Sequence, residues 1–259
     1  MTTPLIITET PSFGHGNAKL PDSTLTFALP SGFTCPGALH CLAKADRRTG
    51  RIKDGPATRF RCYEASAEAR FSSVRERRWR NFDLIKHLGS APMADLLLSG
   101  IEAARNRKST HVRWFTGGDF FSEAMRDAVI ACANATPDLI HYAYTKVVPL
   151  LLENGLSQRR LPHNLRITVS WGGRFDELIH PAGFLRTARV LNTEAEAEAA
   201  GLPIDCTDRL AWQDEPTHFC HLVHGGQPAG SAASQALAER RRRGAFAGYG
   251  RPRRQLVPA

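Results

Sequence analysis

The sequence predicts an α/β protein of repeated βα units, forming a parallel-stranded barrel or a partial, TIM-like barrel. Three observations lead there. Short apolar runs begin at Leu25, His111, Leu139 and Leu165, each the length of a buried strand. Helix-period stretches separate the second to fourth of these runs, as crossover connections require, and each run ends in small or polar residues. The strand ends carry the residues suited to chemistry: a cysteine loop after the first, Thr116-Gly117-Gly118-Asp119 after the second, Thr145-Lys146 after the third and Ser170-Trp171-Gly172-Gly173 after the fourth. In such folds the site lies at the carboxyl edge of the strands.

Taken in order, residues 1–13 read as extended, because Pro4 and Pro11 oppose helix. Leu25 to Leu29 reads as the first buried strand, stopped by Pro30-Ser31-Gly32. The loop 30–63 then holds Cys35, Cys41 and Cys62, with Asp46–Thr58 an irregular excursion or small hairpin that returns Cys62 towards the other two. From Tyr63 the pattern turns helical. Arg70, Arg75, Arg77, Arg78 and Arg80 either line a phosphate path or pair with Glu64, Glu68 and Glu76 along solvated faces. Asp83–Arg105 gives a further helix, broken near Gly89–Pro92, and Ser122–Asn134 another, with Cys132 on its apolar side as a core residue. Val147–Asn154 reads as a short helix, Phe184–Val190 as helix or strand, and Glu194–Ala199 as helix.

The chain has 259 residues, 42% of them hydrophobic and 23% charged, which is ordinary for a globular protein with one sizeable core. There is no membrane-length apolar run, and MTTPLIITETPSF lacks the basic and apolar regions of a secretion signal. The expected location is therefore the cytoplasm, where cysteines stay reduced or bind metal. Of the net charge of +9, most lies in the last 33 residues, which carry seven arginines and one glutamate. We expect a single α/β domain over residues 1–225 and a disordered, basic, Gly/Ala/Arg-rich tail over 226–259. Such a tail either neutralises phosphates of a nucleic acid or is only solvated.

Thiolates on a loop at the end of a buried strand can converge on one ion or cluster, so Cys35, Cys41 and Cys62 are the candidate metal ligands. Free cysteines are equally at home as small buried hydrophobes. Cys206 and Cys220, near His218, His221 and His224, form a second candidate ligand set or a cap on the first. The alternative is a hydrated loop. Gly117 and Gly118 allow close approach of a ligand to the backbone, and Asp119 can accept hydrogen bonds from it; the same four residues also make an ordinary strand-to-helix turn. Lys146 reads as an anion clamp, a base or a plain loop charge. No Ser-His-Asp order, phosphate loop or HExxH motif is present, which sets aside hydrolases and nucleoside triphosphatases.

Asn17-Ala18-Lys19-Leu20, Thr26-Phe27 to Cys35-Pro36-Gly37-Ala38, Cys41, Lys44-Ala45-Asp46, Arg61-Cys62-Tyr63, Arg78-Trp79 to Asn81-Phe82, Gly118-Asp119-Phe120-Phe121 and Tyr144-Thr145-Lys146 resemble the phage gene product 88 domain family. That likeness implies a phage or mobile-element protein in the host cytosol and carries no activity with it. A looser likeness is to radical S-adenosylmethionine enzymes, which also place three cysteines after the first barrel strand and a Gly-Gly-acid motif after the second. Their usual spacing is CxxxCxxC, and this chain departs from it. The likeness implies an iron–sulfur cluster on Cys35, Cys41 and Cys62. S-adenosylmethionine would then lie along Tyr63, Gly117, Gly118, Asp119, Lys146 and Ser170. The alternative is a nucleic-acid-binding protein stabilised by zinc, using its basic C-terminal arm.

Overall fold

A computed structural model describes residues 9–152, 161–180 and 182–245. The main sheet has seven strands. They are β1 (Gly14–His15), β2 (Thr24–Thr26), β5 (His111–Trp114), β6 (Ile140–Thr145), β7 (Leu165–Ser170), β8 (Thr187–Leu191) and β9 (His218–Leu222). The first pair is antiparallel, and from β2 to β9 all neighbours are parallel and follow one another in chain order. The sheet is open, with β1 and β9 at its edges, so the parallel-stranded expectation is met without a closed barrel.

Strands β3 (Ala43–Ala45) and β4 (Ile52–Asp54) form a separate hairpin inside the cysteine loop. The helices are α1 (Tyr63–Arg70), α2 (Ser72–Ile85), α3 (Ser90–Ala104), α4 (Glu123–Ala135), α5 (Val148–Leu152), α6 (Glu194–Ala199), α7 (Arg209–Trp212) and α8 (Ala232–Arg242). No helix among the described residues is long and apolar enough to cross a membrane.

Alternation along the strands separates two faces. Leu25, Phe27, Val112, Trp114, Ala143, Leu165, Ile167 and Val169 pack against Met93, Leu97 and Ile101 of α3 and Met125, Val129 and Cys132 of α4, forming the main core. His141 belongs to this face. Its Nδ1 accepts from Trp114 Nε1 at 3.0 Å, and its Nε2 lies 2.8 Å from Thr136 Oγ1, whose hydroxyl donates to the Cys132 carbonyl. The ring is therefore neutral, and burial pushes its pKa down to about 3. The opposite face is polar: by register, Arg113 lies beside Tyr142, Tyr144 beside Thr168, Ser170 beside Ala188, and Val190 beside His221. Only its lower part is apolar, where Tyr142, Ala188 and Phe219 meet Ala211 of α7.

Two expectations are corrected here. The hydrated loop read as the alternative for the segment with His218, Cys220 and His221 is instead the edge strand β9. Residues 226–245 are not a disordered arm: Ser231 caps α8 by accepting from the Ser234 amide, and the helix buries Ala233, Leu237 and Arg240. Arg240 donates to the Val223 carbonyl. The rest of the tail, and the end of the helix expected over Val147–Asn154, lie outside the described residues.

The cysteine loop is docked on the strand ends by backbone contacts. Leu29 donates to the Gly117 carbonyl at 2.8 Å, His40 to that of Gly172 at 2.9 Å, and Arg174 to that of Gly37 at 2.9 Å. The glycines make this approach possible. A Cβ on Gly37 would run into the Lys146 carbonyl, and one on Gly118, at φ 91°, would lie 2.7 Å from Leu29 Cβ. From behind, Glu68 accepts from the Ser31 amide at 2.9 Å and from Arg78 at 2.6 Å, while Arg78 also binds Glu64. The arginine–glutamate pairing expected on solvated helix faces is thus present, but buried.

Gly118→Ala should lower unfolding stability by about 1–3 kcal/mol through the left-handed backbone it forces on alanine. Gly226→Ala, in open space, should change it by less than about 0.5 kcal/mol. Urea midpoints of the two variants check this.

Candidate ligand cavity at the carboxyl edge of the sheet

A cavity of about 790 Å³ opens over the carboxyl ends of β5 to β9. Cys35, Cys41 and Cys62 line it, as do Tyr63, Gly117, Gly118, Asp119, Lys146 and Ser170, so nine of the candidate residues meet at one place. Cys206 and Cys220 do not line it: Cys206 is exposed, and the buried Cys220 thiol faces the Leu202 carbonyl at 3.9 Å. Of the three nearby histidines, His221 and His224 reach the cavity and His218 does not.

All six cysteines are free thiols. Burial pushes the Cys35 pKa up, helped by Asp119 and Cys62 and opposed by the Gly32 amide, which donates to the sulfur at 3.3 Å. Burial also raises Cys41, with Lys146 opposing, and pushes Cys62 up to about 12, with Cys41 adding to it. The three are close enough to act on one another's charge. Among the described residues, however, no three His, Cys, Asp or Glu side chains are gathered so as to hold one metal ion. A single tetrahedral zinc would draw its sulfurs to about 3.8 Å of each other, given Zn–S bonds near 2.3 Å.

The strand-end residues are more committed than their sequence suggests. Asp119 accepts from the amides of Phe120 at 2.7 Å and Lys146 at 2.9 Å, tying the turn after β5 to the end of β6. Burial raises its pKa to about 6 against those bonds. Lys146 Nζ donates to Ser170 Oγ at 2.7 Å, to the Ser170 carbonyl at 3.2 Å and to that of Trp171. Three donors meet three acceptors, so Lys146 fastens the end of β7. Gly117 and Gly118 make room first for the protein itself, since Cβ atoms there would meet Arg78, Ser31, Leu29 and Thr34.

The polar wall opposite the thiols was not singled out from the sequence. Asp208 Oδ1 accepts from Lys19 Nζ at 2.5 Å and from Tyr144 Oη at 3.0 Å, and its Oδ2 accepts from Arg113 Nε at 3.1 Å. The Arg113 guanidinium lies 4.4 Å from the Tyr144 ring centre. Tyr144 Oη is also 3.2 Å from His221 Nε2, and His221 Nδ1 is 2.8 Å from the Asp205 carbonyl. A carbonyl only accepts, so Nδ1 carries a proton. Burial, with Lys19 adding to it, holds the His221 pKa down, which leaves Nε2 as an acceptor. One phenolic proton therefore faces two acceptors, the carboxylate and the imidazole. Asp208 sits at φ 62° at the N-cap of α7 and makes no capping bond, its carboxylate being turned to the cations instead. The signals for this wall were dispersed: Lys19 stands among turn residues, and Asp208 in a segment without periodicity.

The chain belongs to the gene product 88 family, whose model matches residues 8–245. No curated protein and no solved structure matches it.

Burial alone would raise the Asp208 pKa, but Lys19, Arg113 and His221 overcome this and hold it well below the usual range. Its stabilisation is therefore present above the unfolded carboxylate pKa near 3.9 and is lost as pH falls towards the folded value. Asp208→Asn should cost about 3–5 kcal/mol at neutral pH, because it leaves buried cations unpaired. It should also flatten the loss of stability below about pH 4, as measured by denaturant unfolding across pH.

Proposed function

We propose that this member of the gene product 88 family is an iron–sulfur metalloprotein similar to radical S-adenosylmethionine enzymes. The observation that carries the reading is that Cys35, Cys41 and Cys62, all on the loop following the first parallel strand, line one cavity at the carboxyl edge of the sheet. A cluster spreads its thiolates over several irons, so three sulfurs that line one cavity need not meet at a single ion to hold it. Three protein ligands also leave one iron open, and about 790 Å³ leaves room for a second molecule beside the cluster.

In this reading Cys35, Cys41 and Cys62 hold the cluster, and the wall from Gly117 to Asp119 with Ser170 and Tyr63 takes the S-adenosylmethionine. A cluster held there and reduced by an outside electron donor would supply one electron to S-adenosylmethionine. The chain's own part is to orient and to exclude water. Asp119, which accepts from the Phe120 and Lys146 amides and from the Thr145 side chain, is held in place at the cavity wall. Lys146 holds the end of β7 so that Ser170 faces the cavity. The loop docked on Gly117 and Gly172 holds the partly buried thiols at the cavity wall.

The reading as a zinc-stabilised nucleic-acid-binding protein has less behind it. Arg240 is buried, and Arg242 and Arg243 pair with Glu239 and Glu194, so three of the four consecutive arginines already have partners in the fold.

Anaerobic reconstitution with iron and sulfide should give a brown protein with iron and acid-labile sulfide in about equal amounts. Cys35→Ala, Cys41→Ala or Cys62→Ala should each remove most of it, while Cys206→Ala and Cys220→Ala should keep it. A colourless, iron-free protein after reconstitution, or retention by all three loop variants, rejects the proposal.

A further inference from the structure

The charges around the cavity do not balance. Its lining includes five cationic side chains, Lys19, Arg70, Arg113, Lys146 and Arg241, and three carboxylates, Glu64, Asp119 and Asp208. Glu64 is taken by Arg78, which lies behind the wall. Asp119 faces Lys146, whose attraction favours its ionised form. Asp208 bridges Lys19 and Arg113. Asp205, buried next to His221, lies outside the lining and accepts from the amides of Thr207 and Leu210.

Arg70 and Arg241 are exposed, and among the described residues neither has an ion-pair partner. Arg70 has only the ring of Phe71, 5.1 Å from its guanidinium. Two unpaired guanidiniums and a cation-rich triad thus face one concave space of low-dielectric walls. Such walls focus the field inward and favour an anion of more than one charge. Guanidiniums in particular match the oxygens of a phosphate in pairs.

We infer that this half of the cavity binds a small phosphate-bearing molecule, with Arg70 and Arg241 drawing the phosphate in and Lys19 and Arg113 balancing it from the buried side. Tyr144 supplies a hydroxyl, placed between Asp208 and His221, that can turn to a ligand oxygen. Tyr63, which borders both halves of the cavity, stacks on His224 with ring centres 4.1 Å apart, and the His224 side of this pair offers a surface for the organic part of the ligand.

Calorimetric titration of the full chain with inorganic phosphate, against sodium chloride of matched ionic strength, tests this. Saturable phosphate binding is expected, weakened several-fold by Arg70→Met or Arg241→Met and about tenfold by Lys19→Met. The first two positions are exposed, so those variants keep the test valid if Lys19→Met does not fold, which far-ultraviolet circular dichroism reports. Adenosine monophosphate should bind more tightly than phosphate alone in the wild type, through the ring surface. Phosphate binding no different from the chloride control, or equal affinity in the wild type and every folded variant, overturns the inference. The inference stands apart from the cluster reading: Cys41→Ala, which should lose iron, should still bind phosphate.

Discussion

Parallel strands that neighbour one another in chain order receive their crossovers on the same side of the sheet when the handedness of the connection is kept, and the connections from β5 to β8 keep to one side. This constraint governs the main core; the β8–β9 connection departs from it, carrying α7 on the other face. Helices α3 and α4 and the apolar side chains of β5, β6 and β7 share one face. The other face is left to be covered by segments with no regular place in the sheet: the cysteine loop, α1, the stretch carrying α7, and the chain from Val223 into α8. They meet over it without filling it, and the remaining space is the cavity. A doubly wound order would have put helices where Arg113, Tyr144 and Ser170 now face a ligand-sized volume.

The cysteine loop is held there mainly through the backbone. Three amide–carbonyl bonds join it to the turns after β5 and β7, and the absence of side chains at Gly37, Gly117 and Gly118 sets the distance of approach. The glycine pairs therefore serve the site indirectly. They bring the sulfur-bearing loop against the strand ends, and Glu68 and Arg78 brace it from outside at the cost of burying charge. Lys146 belongs to the same framework, with its three donors on the end of β7.

How far this could be read in advance depended on whether a residue's own neighbours in sequence explained it. Val112, Trp114, Leu165, Ile167 and Val169 announce strands because their alternation is local, and Cys132 announces core because it keeps the period of α4. The strand β9 was obscured by its composition. In His218-Phe219-Cys220-His221-Leu222 the ligand-type residues drew the eye, although Phe219, Cys220 and Leu222 are buried, on both faces of the strand. In α8 the arginine run suggested disorder, while Ala233, Leu237 and Arg240, spaced by four and three, form the buried stripe. The gathering of Cys35, Cys41 and Cys62 was legible because all three lie on one loop. The wall made by Lys19, Arg113, Tyr144, Asp208 and His221 was not, since its pairs span up to 189 residues of sequence and only the sheet brings them together.

That wall is also the costliest part of the structure. A lysine, an arginine and an aspartate are taken largely out of water, and Asp208 adopts a left-handed backbone that is uncommon outside glycine, though aspartate is among the residues that tolerate it. Apolar side chains of similar volume could close the same space at lower electrostatic cost. Charge and strain concentrated where the chain borders a cavity, rather than spread through the core, are what a preorganised binding surface requires. The groups are fixed before a ligand arrives, so little of the interaction with it is spent on ordering them. The thiols and the Asp208 wall border one space, and the open sheet supplies the floor on which both are placed.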